Sequence, residues 1–313
     1  MSQQIEVIDV TDWLVDDTHG IFPIGARDKQ MLWSPAEAIP GIKPNWPYLF
    51  KCSRPAYPDQ FWMECIAYLV GTELGFDVPK ALPATSLDFE GKVVCAALIE
   101  WFYDPKTQSF SHAADFFQNL MADFDNDKGT KHNLVDLKVI CQEFELLMGI
   151  EQSWENWLNQ LLLFDALIGN TDRHQENWGI IFNPGLSSKV SLSPLFDNGT
   201  SLGHERFPAK VASWTQTRLE RYIYDGEHHL RINNDDPKTR LNHLESIRML
   251  VNESEQNKAF VQQIMQTDFA TMLAKLEYLC EIELEIPLSK QRFDWISRLL
   301  LCRHKLICEL LTS

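Results

Sequence analysis

Residues 169 to 182 read GNTDRHQENWGIIF and set Asp172, Arg173, His174, Glu176 and Asn177 between two apolar segments. Asn, Asp and Gly are ordinary turn residues, and by itself such a stretch reads as a solvated loop. Its flanks change that reading. WGIIF and VSLSPLF, on either side of NPGLSSK, read as the strands of a hairpin centred near residue 186. That register sets position 177 close to position 195, so Asn177 and Asp197 fall at one end of the hairpin, next to Asp172. Two carboxylates and an amide oxygen together suit a hard cation such as Mg²⁺, which takes oxygen ligands and completes its shell with substrate phosphates.

A phosphate-handling site also needs fixed positive charge. Lys51 closes the otherwise apolar strand YLFKCS, where alternation puts it on the same face as Leu49. Glu64, in the helix that follows, is its natural partner. Taken singly, Lys51 reads equally as a strand-end lysine and Glu64 as an exposed helix glutamate.

The elements that must position these groups form two unequal parts. GIFPIG, KQMLW, YLFKCS and KVVCAALIEWF read as strands, interrupted by the helix DQFWMECIAYLVGTELG, with Asp59 as N-cap and Gly75 as its end. SHAADFFQNLMADF, LVDLKVICQEFELLMG, SWENWLNQLLLFDALIG and several stretches beyond residue 258 read as helices. We therefore expect an α+β, bilobal fold: a small β-rich lobe over residues 1–100, a larger helical lobe over 101–313, and a cleft between them.

At 313 residues the chain can bury a large core, and its 44 acidic and 28 basic residues give a formal charge of −16. No Lys/Arg-rich run exists that could track phosphates along a nucleic acid, so direct nucleic-acid binding is not expected. The seven cysteines are odd in number, form no C-x-x-C pair and mostly sit in apolar segments, as reduced core thiols do. The N-terminus carries no signal-like segment and no apolar run is long enough to span a bilayer. A soluble, cytoplasmic protein is expected, with no membrane partner.

At this point the residues carry a likeness to a known family. Lys51 in YLFKCSRP, Glu64 in FWMECIAYLVGTELGFDVP, the hinge-like ALIEWFYDP, the Asp-x4-Asn loop in GNTDRHQEN and Asp197 in SPLFDNGTSLG resemble the corresponding segments of the HipA-like serine/threonine kinases. The resemblance covers most of residues 18 to 205. It implies a protein-kinase-like fold and an ATP- and Mg²⁺-dependent enzyme. In it Asp172 accepts the proton of the attacking hydroxyl or orients it, Asn177 and Asp197 hold Mg²⁺, and Lys51, paired with Glu64, binds the α/β-phosphates. The backbone at Glu100 and Phe102 binds adenine, and Gly25 belongs to the phosphate-covering loop. His174 either orients the loop or is itself the base. Arg173 pairs with an acid or a phosphate, or is a solvated loop arginine.

The order Asp172, Arg173, His174 is the kinase His-Arg-Asp reversed, as in phosphatidylinositol kinases, so a kinase for a lipid or another small hydroxyl compound is the nearest rival. An inactive nucleotide-binding regulatory partner is a second. The likeness weakens in GIFPIGARDKQMLW, which has Gly20 and Gly25 but no Gly-x-Gly-x-x-Gly, and where Lys29 is an extra phosphate contact or a strand-surface lysine. PIGARDK also lacks a hydroxyl residue for the autophosphorylation by which this family switches itself off. The nearest are Thr18 and Ser34. HipA-like toxins often carry a further N-terminal subdomain, yet only 50 residues precede Lys51, so the expected partners are a Ser/Thr protein substrate and an antitoxin or subdomain-like protein. His228 and His229 lack the Cys or His neighbours of a zinc site.

Overall fold

The computed structural model describes residues 5–16, 28–121, 123–125, 128–185, 188–236 and 238–312. The GIFPIG strand, Gly20, Gly25 and Thr18 lie outside the described residues.

The first part of the chain is a six-stranded sheet built from β1 (Ile8–Asp9), β2 (Leu14–Val15), β3 (Lys29–Trp33), β4 (Pro47–Cys52), β5 (Ala81–Leu87) and β6 (Val93–Glu100), in the order β1-β5-β6-β4-β3-β2. The strands expected at KQMLW, YLFKCS and KVVCAALIE are present. β5 was not foreseen, because Pro83 interrupts its pattern. The proline is tolerated since β1 reaches only Ala84 and Thr85, leaving the outer edge of β5 open at residue 83.

Strand alternation sorts the sheet's two faces. Tyr48, Phe50, Leu82 and Leu98 pack with Ile8, Val10 and Leu32 in one small core on the outer face. The opposite face carries Lys51 and is covered by α1 (Phe61–Glu73), whose Phe61 to Ala67 are all buried. This helix joins the main core, shared with the helical part, so its Glu64 is enclosed rather than exposed. Asp59 does not cap it. Gln60 is the N-cap, without a side-chain bond, and the Phe61 N–H goes to Ser53 Oγ at 2.8 Å. Asp59 is drawn off by Arg292, whose Nε lies 2.8 Å from its Oδ2.

Next come β7 (Ser109–His112), α2 (Ala113–Leu120), α3 (Leu134–Leu147) and α4 (Trp154–Ile168). The segment read as one helix from Ser111 is split between β7 and α2, because β7 pairs with a strand seventy residues later. That partner is β8 (Gly179–Phe182), and β9 (Val190–Leu192) completes a three-stranded sheet in the order β7-β8-β9. β7 and β8 approach so closely at Gly179 that a Cβ there would lie 2.2 Å from the Ser111 carbonyl. β8 and β9 pair as Ile180 with Leu192 and Phe182 with Val190, the register expected of a hairpin centred at 186, although β9 ends at Leu192 rather than Phe196.

The chain then forms α5 (Pro208–Val211), α6 (Gln216–Tyr224), the hairpin of β10 (Glu227–Arg231) and β11 (Arg240–Asn242), α7 (His243–Glu253), α8 (Glu255–Met265), α9 (Phe269–Leu276), a 3₁₀ turn at Glu277–Glu281, and α10 (Lys290–Thr312). α4 is buried almost all round and packs against α7 and α10. Among the described residues no helix is long and apolar enough to cross a membrane.

Candidate functional site

Lys51 and Glu64 meet in the interior. Lys51 Nζ lies 2.8 Å from Glu64 Oε1 and 2.6 Å from Asp197 Oδ1, and both members of the first pair are 4% exposed. The other Glu64 oxygen accepts the Asn198 N–H at 2.9 Å, so one glutamate anchors both the lysine and the loop after β9. Asp197 itself has φ of 57°, in the left-handed region that L-residues other than Asn and Asp seldom enter. This backbone, fixed by its neighbours, turns the carboxylate toward Lys51.

The 169–178 segment is not a solvated loop. Arg173 is 0% exposed, and its guanidinium donates to Asp165 Oδ2 (Nε, 3.1 Å), Asp165 Oδ1 and Asn198 Oδ1 (Nη2, 2.8 and 2.7 Å) and the Phe196 carbonyl (Nη1). A single side chain therefore ties α4, the segment of Asp172 and the segment of Asp197 together. Burial pushes the Asp165 carboxyl up, with the arginine pulling against it. Asn170 adds a second tie: its Oδ1 accepts the Asp172 N–H at 3.0 Å, and its carbonyl contacts His243 Nε2 at 2.9 Å. Asn177 donates Nδ2 to the Asp172 carbonyl at 2.7 Å, which turns its Oδ1 the other way. Gly169, the left-handed cap of α4 at φ 66°, starts this loop where a Cβ would lie 2.5 Å from Arg303 Nη2. The start of α2 holds the loop's far side, with Ala114 N–H on the Gln175 carbonyl and Ala113 N–H on that of Trp178, both at 3.0 Å.

His174 Nδ1 accepts the Glu176 N–H at 3.2 Å, so its neutral form carries the proton on Nε2. Its ring lies 5.9 Å from that of His229. His228 sits 3.8 Å from Asp165 Oδ2 and edge-on to His243 at 4.4 Å. These two histidines of β10 are packing groups under the loop. Burial first, and nearby arginines second, push each imidazole down to about 3.

Glu100 closes β6. Its N–H is taken by the Lys80 carbonyl at 2.8 Å, and its carboxylate accepts from Tyr48 on the outer side of the sheet, so its carbonyl is what it can offer a ligand. Phe102 stacks on Phe196 with centroids 5.0 Å apart, and Phe110 stands edge-on to both. The hinge-like segment is thus seated on the residue preceding Asp197. The oxygen donors of Asn177 and Asp197 fit a hard divalent cation, and the Lys51 ammonium against Asp197 indicates where positive charge is stabilised.

A sequence profile of the HipA-like C-terminal domain matches residues 23–276. The chain belongs to this family. None of the curated proteins compared with it matches. Among solved structures, the Helicobacter pylori proinflammatory kinase CtkA superposes with a TM-score of 0.71 at 18% identity, covering 97% of this chain and 96% of that one. HipA of Shewanella oneidensis MR-1, from a toxin-antitoxin complex with HipB and its operator DNA, gives 0.52 at 13% identity, over 95% of this chain and 68% of that one. These likenesses establish the protein-kinase-like, α+β fold for this HipA-like chain.

Lys51, Glu64, Asp172, Asn177, Asp197 and Phe102 of this family member are therefore joined by one continuous set of contacts. Gly25 lies outside the described residues. Sequence reading missed Asp165 and Asn170, and noted Asn198 only as part of the segment of Asp197, without a role. A signal existed for Asp165, a carboxylate inside LLLFDALIG, since charges rarely enter a buried helix unpaired. Nothing local marks Asn198, whose partner is twenty-five residues away.

Proposed function

We propose that this HipA-like chain is an ATP- and Mg²⁺-dependent phosphotransferase acting on a serine or threonine of a protein. The observation that carries this reading is the junction of Lys51 with Glu64 and Asp197, whose neighbour Asn198 is bound in turn to Arg173 beside Asp172. The lysine and the two loops needed for phosphoryl transfer are thereby held in one frame. Asp172 receives or orients the acceptor hydroxyl proton, Lys51 steadies the α/β-phosphates, and Asn177 and Asp197 would hold the metal. The Glu100 carbonyl and the Phe102 backbone would meet the adenine. Bound Mg²⁺ supplies positive charge to the phosphates, and the chain supplies position.

In this reading residues 1–100 and 101–313 are the two lobes. Nucleotide entry requires Lys51 to exchange its contact with Asp197 for phosphate, while Glu64 keeps hold of it. Because the Shewanella HipA was solved with HipB, we further propose a protein partner that restrains this chain, in a toxin-antitoxin pair located in the cytoplasm.

The Asp172-Arg173-His174 order favours one rival, a kinase for lipids or small hydroxyl compounds. Incubation with γ-labelled ATP and Mg²⁺, in parallel with a whole-cell protein lysate and with phosphoinositide vesicles, separates the two. Label on discrete lysate proteins at Ser or Thr supports the proposal. Label confined to lipid overturns the acceptor assignment, and no transfer to either acceptor overturns the activity.

A further inference from the structure

A cavity of about 780 Å³ opens beside the hinge: Glu100 and Phe102 border it, whereas Lys51, Asp172, Asn177 and Asp197 do not. Its walls come from the turn between α1 and β5 (Asp77, Lys80), from Glu100 and Trp101, and from the approach to and first turn of α4 (Glu151, Trp157). That volume is within the roughly 300–1,000 Å³ range of small-molecule sites.

The lining selects a cation. Two carboxylates, those of Asp77 and Glu151, share the lining with one lysine, and the Lys80 ammonium is already bound to the Gly41 carbonyl, while the Glu100 carboxylate is taken by Tyr48. Glu151 is held in place by Ser191 Oγ at 2.8 Å and Asn183 Nδ2 at 3.1 Å, whereas the Asp77 carboxylate takes no hydrogen bond from the described residues. Trp157 is fixed by its indole N–H on the Ser193 carbonyl at 2.8 Å, and with Trp101 it supplies aromatic surface that attracts organic cations. A compact metal ion would leave most of this space empty. An elongated chain bearing several ammonium groups would reach both acidic walls and lie along the indoles.

The walls also connect to the cleft. The Asp77 carbonyl accepts the Leu195 N–H at 2.8 Å, two residues before Asp197, and the Lys80 carbonyl accepts the Glu100 N–H at 2.8 Å. A ligand spanning the Asp77 turn and the Glu151 wall therefore grips the hinge from that side.

We propose that this cavity is a second ligand site, binding an aliphatic polyamine between Asp77 and Glu151. Calorimetry with spermidine at physiological ionic strength tests it, with 1,8-octanediol as a neutral chain of similar length. A net charge of −16 attracts polycations diffusely, so the comparison must include an exposed acid elsewhere, Asp235→Asn. The expected result is saturable one-to-one binding that octanediol does not reproduce, weakened about tenfold or more by Asp77→Asn or Glu151→Gln, as for loss of a charge-assisted contact, and unchanged by Asp235→Asn. Absence of saturable binding, equal weakening by Asp235→Asn, or indifference to both cavity variants overturns the proposal. Binding is read without turnover, so the result does not depend on whether the cleft transfers phosphate.

Discussion

The Arg173 guanidinium grips both oxygens of Asp165, at 3.1 and 2.8 Å, with neither side chain exposed to solvent. Such a pair adds little net stability relative to apolar residues of the same shape, but breaking it strands a buried charge. Asp165→Asn should therefore cost about 3–5 kcal/mol in denaturant unfolding. The double variant Asp165→Leu, Arg173→Met should recover most of that stability. It should not recover phosphoryl transfer, because the ties from Arg173 to Asn198 and Phe196 are gone as well. Full activity in a stable double variant would show that the loops hold their positions without the arginine.

Asp197 and Asp172 should fail in different ways. Asp197→Asn removes the carboxylate that faces Lys51 and a proposed metal ligand, so Mg²⁺-dependent binding of a non-hydrolysable ATP analogue should weaken. Asp172→Asn should leave that binding nearly intact while single-turnover transfer falls by roughly a hundredfold or more, the scale of losing a general base. Calorimetry and rapid quench read the two effects. Equal loss of nucleotide binding in both variants would refute the division of roles.

Lys51 and Glu64 should behave as one unit. Since Glu64 holds Lys51 with one oxygen and the Asn198 N–H with the other, its loss releases both the lysine and the Asp197 loop. Lys51→Met and Glu64→Gln should each reduce transfer sharply, and the double variant should be little worse than either alone. Independent, multiplying effects would mean that the contact does not serve catalysis.

The parts of this molecule that sequence made legible are those governed by short-range pattern. Lys51 could be placed from strand alternation, and the β8–β9 register from hairpin symmetry, because both depend on a few adjacent residues; beyond Leu192 the pairing ends and the Leu195 N–H goes to the Asp77 carbonyl. The hidden parts depend on distant partners. β7 exists because Gly179 lets a strand seventy residues away come close, and Asp59 leaves its capping position because Arg292 competes for it. Arg173 is the clearest case: as a loop residue it reads equally as solvated or paired, and only the packing of α4 beneath it decides.

Acid should unfold this protein early. His132, His228, His229 and His243 are all held well below 6.5, chiefly by burial, with His228 and His229 at about 3. A depressed imidazole is neutral in the native state and takes up a proton on unfolding, so stability is intact above about pH 6.5 and is lost as pH falls toward 3. Each group contributes a slope of about 1.4 kcal/mol per pH unit inside that window. Asp165, pushed up, opposes them in the lower part of the range. Urea unfolding between pH 7 and pH 5 should show stability falling steeply, and His229→Gln should flatten the slope by about one proton's worth. A flat profile over that interval would mean that these imidazoles are accessible to protons in the native state.

The role of His174 turns on a single hydrogen bond. Its Nδ1 accepts the Glu176 N–H, which leaves Nε2 protonated in the neutral ring, as a donor. A ring in that tautomer orients the loop and is poorly prepared to accept a proton at Nε2, while Nδ1 is already occupied. Asparagine can place its Oδ1 near the position of Nδ1 and keep the Glu176 contact, though it cannot act as a base at neutral pH. His174→Asn should therefore retain transfer to within about tenfold, whereas His174→Leu, which loses the contact, should fall further, in line with a positioning role. The pH dependence of single-turnover transfer should be the same for wild type and His174→Asn. If His174 were the base, His174→Asn would match Asp172→Asn in its loss and its pH profile would differ from that of wild type. The pair of variants and the profile together decide which residue of the Asp172-Arg173-His174 triplet takes the proton.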